Sequence, residues 1–508
     1  MASCRSFRAA LARPDELDAP NSFVACLMNQ TSNPETCDSP STSGWGELLA
    51  GANLMLSIAL SGGVALHAVN LYISTTILPS VVQDIGGIDY YAWNTTVYVV
   101  ASIVGAALSA RLLSRAGPKA AYALAGLVFA VGALLCAAAW SMPVMLVGRG
   151  VQGLGGGMLV SLPYAMTRIV FPEPLWPRAM AMISGMWGIA TLLGPALGGV
   201  FAEFGIWRAA FWSLIPLIAF FGTAAVLVLP KRDAAKTPSS PLPARQLVFL
   251  TVAVLAASLA SVSGEILWSL ASLLVAGLLI FALMRTDARA PQRLLPRGSF
   301  QIASPLGALY AMSALLAVTV TCTEIFVPLF LQVLHGRSPL QAGYIAALMS
   351  VGWTIGSLAS SGLQGRQLVI TLRAAPVLSL ISLAVLAVIL PWPSDTGWGA
   401  SLLTCLALIA GGMGVGLAFP HLASRVLHAA PSDEQDLAAS SIMTVQLCAT
   451  AFGAALAGLT VNLAGLSTGG EMAVASAARW LFAVFLLAPA LCLRLLWHRA
   501  AEPEGAAG

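Results

Sequence analysis

Residues 188–199 read Gly-Ile-Ala-Thr-Leu-Leu-Gly-Pro-Ala-Leu-Gly-Gly, and they lie inside a longer apolar run that can cross a bilayer as one helix. Pro195 has no backbone N–H, so the carbonyl oxygen of Thr191 loses its helical partner and we expect the helix to bend there. Gly194 and Gly198 are four residues apart and share a helix face that another helix can approach closely. The stretch predicts a bent membrane helix that packs tightly against a neighbour and can rock against it.

The composition points to a membrane protein. The chain of 508 residues is 58% hydrophobic and only 9% charged, whereas soluble domains carry roughly 25% charged residues. We therefore predict a polytopic protein embedded in a lipid bilayer. The net charge of +4 gives no reason to expect nucleic-acid binding. The eight cysteines show no metal-binding spacing, and no catalytic constellation or phosphate-binding loop stands out, so we expect no enzyme activity, cofactor or metal.

Apolar runs divide the chain into fourteen predicted membrane spans in the order six, two, six. The runs lie at about 52–80, 92–113, 119–140, 142–163, 178–203, 209–230, 246–263, 266–284, 303–332, 339–362, 368–391, 399–423, 437–464 and 475–496. They predict an all-α membrane bundle and divide the chain into five parts. These are a flexible cytoplasmic tail (1–50), an N-terminal six-helix half (51–230), a two-helix insert with basic loops (231–302), a C-terminal six-helix half (303–496) and a cytoplasmic tail (497–508).

Lysine and arginine are distributed unevenly between the two sides of the predicted bundle. With the N-terminus inside, 21 of the 25 basic residues fall on the inner side and three on the outer side, while Arg149 lies within a span. Cytoplasmic loops of membrane proteins carry an excess of basic residues. The asymmetry therefore predicts an even number of spans with both termini cytoplasmic, and one missed span would destroy it.

The run Gly194-Pro195-x-x-Gly198-Gly199, preceded by Gly188, resembles the fifth-helix motif of antiporters in the major facilitator superfamily. In an apolar helix the Gly-x-x-x-Gly part alone usually serves only packing, so that alternative stays open. If the resemblance holds, it implies that this helix is a hinge element of a transporter that works by alternating access.

The stretch from Leu71 to Gly87 resembles the opening helix of the fourteen-helix drug:proton antiporters in that superfamily. Many of these relatives have an aspartate at the position of Asn70, whereas the first predicted span of this chain has no acidic residue. His67 could replace the missing acid, because an exposed histidine titrates near neutral pH. The alternative is a histidine that only hydrogen-bonds a neighbouring helix.

The loop after the second span contains Ser114-Arg115-Ala-Gly117-Pro118-Lys119 and resembles the superfamily's Gly-x-Leu-x-Asp-Arg-x-Gly-Arg-Lys loop. Arg115, Gly117 and Lys119 match that motif, whereas Ser114 stands where the family has an acid. In the family this loop latches the two halves on the cytoplasmic side through a charge network. The resemblance thus implies a weaker latch here, and the alternative is a basic turn that only follows the positive-inside distribution.

Arg149-x-x-Gln152-Gly153 in the fourth span resembles the Arg-x-x-Gln-Gly motif of the antiporters, in which the arginine is associated with proton transfer. A guanidinium so deep in a span costs at least roughly 2.5–3.5 kcal/mol, so it should face protein or water. Arginine stays cationic and cannot carry the proton itself, but it can stabilise a nearby carboxylate or hold an anionic group. The alternative is a structural tether to backbone carbonyl groups.

Glu324 is the only one of the 21 acidic residues that lies deep within a predicted span. Pro328 follows four residues later, so the helix leaves the carbonyl oxygen of Glu324 unpaired. A titratable group beside an open carbonyl at a helix bend is suited to bind a proton or a cationic substrate. We therefore predict that Glu324 couples the proton, with Arg149 and His67 as further candidates. A permanently protonated Glu324 that hydrogen-bonds a neighbour is the alternative.

Further side chains in the spans are candidates for the substrate path, although a packing or lipid-facing role fits the aromatic ones equally. They are Asn70, Tyr72, Trp93, Tyr98, Trp187, Tyr310 and Trp353. The resemblance implies a secondary active transporter in the bacterial inner membrane that exports small organic molecules or drugs in exchange for protons. We expect it to be a monomer. A transporter of one endogenous metabolite and a non-transporting membrane sensor remain as alternatives.

Overall fold

The computed structural model of the protein describes residues 45–172, 175–230, 243–262, 266–360, 363, 365–392, 398–432 and 434–500. The first 44 residues of the predicted N-terminal tail, and residues 501–508 of the predicted C-terminal tail, lie outside the described residues.

The described chain is built of α-helices. In chain order they are α1 (Trp45–Leu48), α2 (Gly51–Ile85), α3 (Tyr91–Ala137), α4 (Met142–Val170), α5 (Trp176–Glu203), α6 (Trp207–Trp212), α7 (Leu214–Val228), α8 (Ala244–Leu259), α9 (Ile266–Arg289), α10 (Pro305–Val333), α11 (Pro339–Ser360), α12 (Gly365–Ile389), α13 (Trp398–Ala429), α14 (Gln435–Leu463), α15 (Glu471–Phe485) and α16 (Leu487–Ala500). Two short 3₁₀ turns, Ile88–Tyr90 and Leu466–Thr468, precede α3 and α15.

These helices form the fourteen spans that the sequence predicts. The 47-residue α3 provides two spans, because Gly117 leaves the helical conformation with φ 81° and ψ 170° and Pro118 starts a new helix. Helices α6 and α7 together form the sixth span, and α15 and α16 form the last. Eleven segments of the described chain are long and apolar enough to cross a bilayer, one of which contains both spans of α3. The other two spans are α4 and the shorter α8. The prediction of an all-α bundle with fourteen spans is confirmed for the described residues.

Glycine allows close helix packing inside each half. In the first half, a Cβ atom at Gly153 or Gly157 of α4 would overlap the carbonyl oxygens of Tyr98 and Ser102 in α3. In the second half, Gly352 lets α11 approach α13 in the same way. Since lipid tails are as apolar as leucine, helices in a bilayer associate through such close packing rather than through the hydrophobic effect.

The two-helix insert contacts both halves, because α8 packs against α3 and α14. Trp93 of α3 donates its Nε1–H to the carbonyl oxygen of Ser258 at 3.0 Å and to Ser261 Oγ at 3.2 Å. Asn462 of α14 donates its Nδ2 hydrogens to the carbonyl oxygens of Ser261 at 2.8 Å and Asp89 at 2.9 Å. The turn after α8 therefore links the halves at one end of the bundle.

Candidate functional site

A small cavity lies between the two halves where α2, α3 and α5 meet α10, α11 and α14. We call it the interhalf cavity, and it is lined by Leu71, Tyr72, Thr75, Thr76, Thr95, Pro195, Thr321, Glu324, Ile325, Pro328, Gly343, Ala346, Ala347, Ser350 and Thr450. The cavity has a volume of about 30 Å³, which is room for one or two water molecules. In this conformation the cavity can therefore hold water or a proton but not a drug-sized molecule.

Among the described residues, Glu324 brings the only carboxyl group to the lining of this cavity. It is half-buried on α10, and Thr321 and Pro328 lie one turn before and one turn after it on the same helix face. Because Pro328 has no N–H, the carbonyl oxygen of Glu324 is left without its helical donor. The ion pairs among the described residues lie elsewhere, at Asp84 and Glu434, so no basic side chain there neutralises the Glu324 carboxyl group.

Hydrogen bonds join the two halves beside Glu324. The hydroxyl groups of Tyr72 on α2 and Ser350 on α11 are 3.1 Å apart. Gln332 of α10 donates its Nε2 hydrogen to the carbonyl oxygen of Thr76 at 3.3 Å. These contacts close the interface between the halves around the cavity.

One face of α5 shows that the halves meet at one end and separate at the other. Gly185, Gly188, Pro195 and Gly199 share this face, since they are spaced by multiples of three and four residues. A Cβ atom at Gly199 would lie 2.5 Å from the Cα atom of Leu340 in α11. At Gly188 and Gly185, about three to four turns away, no atom of the described residues outside the surrounding turns of α5 lies within 4 Å of that position. The interface is therefore closed at the C-terminal end of α5 and open at its N-terminal end.

The glycines of the 188–199 motif lie in three different surroundings. A Cβ atom at Gly194 would overlap the Tyr72 side chain, and one at Gly198 would lie 3.0 Å from the Ile73 carbonyl oxygen. Gly194 and Gly198 thus pack α5 against α2 within the first half, while Gly199 packs α5 against the second half. Gly188 makes neither contact and lies where the halves are apart.

Arg149 is completely buried in the first half. Its Nε–H donates to the carbonyl oxygen of Asn94 at 3.3 Å, its Nη1 donates to Gln152 Oε1 at 2.6 Å, and its guanidinium carbon lies 4.0 Å from the centre of the Tyr98 ring. Within the described part of the chain, Nη2 has no hydrogen-bond partner and no carboxylate pairs with the guanidinium. The recorded contacts of Arg149 therefore lie within the first half, and none of them is with Glu324.

His67 extends this group of side chains to α2 and α5. Its Nδ1 is 2.9 Å from the hydroxyl oxygen of Tyr98, and its ring lies edge-on to Trp187 with 5.9 Å between the ring centres. Asn70, one turn further along α2, is also buried. We call Arg149, Gln152, Asn94, Tyr98 and His67 the Arg149 cluster, and it connects α2, α3 and α4 within the first half.

The motif loop between the two spans of α3 makes no ionic latch among the described residues. Ser114 donates its hydroxyl hydrogen to the carbonyl oxygen of Arg111 at 2.9 Å, which is a bond within the helix. Neither Arg115 nor Lys119 forms an ion pair with a described side chain. Gly117 supplies the left-handed backbone that lets the chain turn into Pro118.

The aromatic candidates are spread over the molecule, and Tyr72 is the one that lines the interhalf cavity. Trp93 binds the insert turn, as described above. In the second half, the hydroxyl oxygen of Tyr310 lies 2.5 Å from Ser441 Oγ. Trp353 packs against Phe419 with 5.4 Å between the ring centres. These side chains stabilise helix packing in this conformation.

Sequence reasoning missed several hydroxyl side chains of the cavity, namely Thr95, Ser350 and Thr450. They come from three helices that are far apart in the chain, so no local pattern connects them. Thr321 could have been found, because it precedes Glu324 by three residues and must share its helix face.

Solved structures of transporters share this fold. A transporter of the POT family, crystallised with a thioalcohol-conjugated peptide, aligns with a TM-score of 0.63 over 88% of this chain and 96% of its own, at 12% sequence identity. At so low an identity the likeness concerns the fold alone.

Sequence relatives identify the family. A "Probable multidrug-efflux transporter" of Mycobacterium tuberculosis is 36% identical over 466 residues, which are 90% of this chain and 97% of the relative. The "Multidrug efflux pump" of Staphylococcus aureus is 26% identical over 59% of this chain and 67% of its own length. Residues 60–454 match the sequence profile of the Major Facilitator Superfamily. With its fourteen spans and two halves around a central cavity, this chain belongs to the Major Facilitator Superfamily.

Proposed function

We propose that this chain exports small organic molecules or drugs in exchange for protons by alternating access. The observation that carries the proposal is Glu324, a carboxyl group without a basic partner among the described residues, in a cavity between two halves that are closed at one end and open at the other. Membership in a superfamily of transporters and the multidrug-efflux names of the relatives support export as the direction.

Protonation of Glu324 decides whether the halves can close around it. A charged carboxylate in a closed, apolar interface is unfavourable, whereas a neutral carboxyl group that is hydrogen-bonded costs far less. A proton therefore binds while the end near Gly199 is open, and the neutral side chain lets that end close. When the other end opens, water reaches Glu324 and the proton leaves on that side. The charged carboxylate then binds an outgoing cationic substrate, which compensates its charge before the halves rock back.

Arg149 and His67 have a supporting role in this proposal. Their contacts hold α2 against α3, α4 and α5, and α2 carries Tyr72 to the interhalf cavity. They thereby fix the surface against which Glu324 moves, while Glu324 itself binds the proton.

The uneven distribution of lysine and arginine supports a cytoplasmic location of both termini in the bacterial inner membrane. In that orientation the N-terminal end of α5 faces the cytoplasm. The conformation described here is then open to the cytoplasm and ready to take up substrate from inside.

Transport measured in proteoliposomes tests the proposal. The purified protein is reconstituted, a pH gradient is imposed, and transport of a panel of drugs and ordinary metabolites is followed. We expect several chemically unrelated drugs to move against the direction of proton flow. Transport of a single metabolite with no response to drugs would contradict multidrug export, and transport that ignores the pH gradient would contradict proton coupling.

Replacement of Glu324 tests its role in the same vesicles. Glu324→Gln mimics the protonated side chain, so gradient-driven transport should fall at least tenfold while substrate binding in detergent changes less than about threefold. Glu203→Gln, at the exposed end of α5, removes an acid of the same kind outside the cavity and should leave transport unchanged. Full proton-driven transport by Glu324→Gln would remove Glu324 from the mechanism and leave His67 as the remaining candidate.

A further inference from the structure

A second cavity, larger than the interhalf cavity, lies at one end of the insert. It has a volume of about 570 Å³ and is lined by Pro243, Ala244, Arg245, Gln246, Arg285, Thr286, Arg289, Ala290, Pro291 and Gln292. Residues 243–246 start α8 and residues 285–289 end α9, so the cavity lies where the two insert helices meet the predicted cytoplasmic surface.

Among the described residues, three arginines and no carboxylate line this cavity. Arg245, Arg285 and Arg289 contribute their exposed side chains from two helices. The nearest acidic residue in the described sequence is Asp287, and its carboxylate oxygens accept the backbone N–H groups of Leu294 at 2.5 Å and Leu295 at 3.4 Å instead. The cavity therefore presents uncompensated positive charge among the described residues, which suits an anion.

An apolar face of α9 leads directly to these arginines. Its exposed side chains are Leu267, Leu270, Leu274, Leu278 and Phe281, with exposed fractions between 52% and 75%. They are spaced by three or four residues, and the same spacing continues to Arg285 and Arg289, so all lie on one side of the helix. The guanidinium carbon of Arg285 lies 4.7 Å from the centre of the Phe281 ring. The face is apolar along the span and cationic at its end. It is therefore complementary to a lipid, whose acyl chains are apolar and whose headgroup is anionic.

We propose that this cavity binds the phosphate headgroup of an anionic phospholipid, whose acyl chains lie along the exposed face of α9. Arginine is suited to this contact because its planar guanidinium can donate two parallel hydrogen bonds to phosphate oxygens. The space of about 570 Å³ accommodates a glycerophosphate group with some of its water. The insert, which contacts both halves through α8, is thereby anchored to one leaflet of the membrane.

Native mass spectrometry of the purified full-length protein tests this proposal. Phosphatidylglycerol, phosphatidylcholine and inorganic phosphate are each titrated into the detergent-solubilised protein. We expect one tightly bound phosphatidylglycerol, at least tenfold weaker binding of phosphatidylcholine, and no displacement of the lipid by millimolar phosphate. Equal binding of the two lipids would overturn the proposal, and displacement by phosphate would assign the site to a free anion rather than to a lipid.

Substitution of the arginines locates the lipid. Loss of one arginine near an anionic headgroup weakens binding about fivefold, so the triple variant Arg245→Gln/Arg285→Gln/Arg289→Gln should bind phosphatidylglycerol about a hundredfold more weakly. The matched control Arg366→Gln/Arg373→Gln/Arg425→Gln removes three exposed arginines of the same predicted side and should change binding less than twofold. The single variant Arg289→Gln covers the case in which the triple variant does not fold, and unchanged affinity in it would overturn the proposal.

Discussion

The two buried polar regions of this transporter differ in where their partners come from. The Arg149 cluster draws its contacts from helices of the first half, where Asn94, Gln152 and Tyr98 surround the guanidinium. Glu324 belongs to the second half, but the surface opposite it, including Tyr72, belongs to the first. In the proposed transport cycle, one region stays intact when the halves move, while the other is assembled and taken apart.

This difference separates two kinds of buried charge. A charge whose partners all move with it can be held permanently, because its desolvation is compensated once by fixed contacts. A charge at a moving interface loses its surroundings in each cycle, so it must be neutral when the interface closes or be exposed to water when it opens. A side chain that can lose its charge, such as glutamate, meets this requirement, whereas arginine does not.

The largest effect should come from blocking the packing that supports both regions. In Gly198→Leu the new Cβ would lie 3.0 Å from the Ile73 carbonyl oxygen, and the rest of the side chain would force α5 away from α2. Such overpacking costs about 1–3 kcal/mol, so proton-driven transport in vesicles should fall by a factor of about 5 to 150 while the protein still inserts.

The control for this variant is Gly222→Leu in α7, where no described residue outside the same helix has an atom within 4 Å of the Cβ position. It adds the same side chain to the same half and should transport at the parent rate. If Gly198→Leu also transports normally, the motif at 188–199 does not depend on the close contact between α5 and α2.

The second prediction tests whether the Arg149 cluster is a fixed structural unit. Arg149→Lys keeps the charge but cannot reach Asn94 and Gln152 while it also covers the Tyr98 ring. A hydrogen bond to a charged group contributes about 1.5–3 kcal/mol, so the thermal unfolding midpoint in detergent should fall by about 5 °C. Arg425→Lys, at an exposed position of α13, should leave the midpoint unchanged. An unchanged midpoint in Arg149→Lys would mean that these contacts do not stabilise the first half.

Much of the fold was predictable because hydropathy and basic loops are local signals. Fourteen apolar runs predicted fourteen spans, and Pro195 with its flanking glycines marked a helix that does pack closely against two neighbours. The break at Gly117 was visible as a Gly-Pro pair between two apolar runs.

The candidate site was predictable only in part, because helix rotation is not a local property. Glu324 stood out as the single deep acid, but the sequence could not show that Ser350 and Thr95 lie opposite it. Trp93 was a candidate for the substrate path, yet its indole N–H binds the insert 165 residues further along the chain. Such pairings depend on how each helix is turned by its neighbours, and no single-helix pattern encodes that.

The smallest predicted effect tests the interface rather than the cluster. Tyr72→Phe removes the hydroxyl group that lies 3.1 Å from Ser350 Oγ, but it keeps the aromatic ring in the lining of the cavity. One hydrogen bond contributes about 1 kcal/mol net, so the ratio of the conformation described here to the opposite one should fall about fivefold. Distances between spin labels at the two ends of the bundle, measured without substrate, report this ratio.

The same variant should leave the unfolding midpoint within about 2 °C of the parent, because the lost bond joins the halves and does not hold either one together. Arg149→Lys is the complementary variant. We expect it to lower the unfolding midpoint and to change the ratio of the two conformations little. Tyr344→Phe, which removes an exposed hydroxyl group from α11, should change neither quantity. If Tyr72→Phe lowers the midpoint as much as Arg149→Lys does, the interface and the cluster are one structural unit, and the distinction between fixed and moving charge fails.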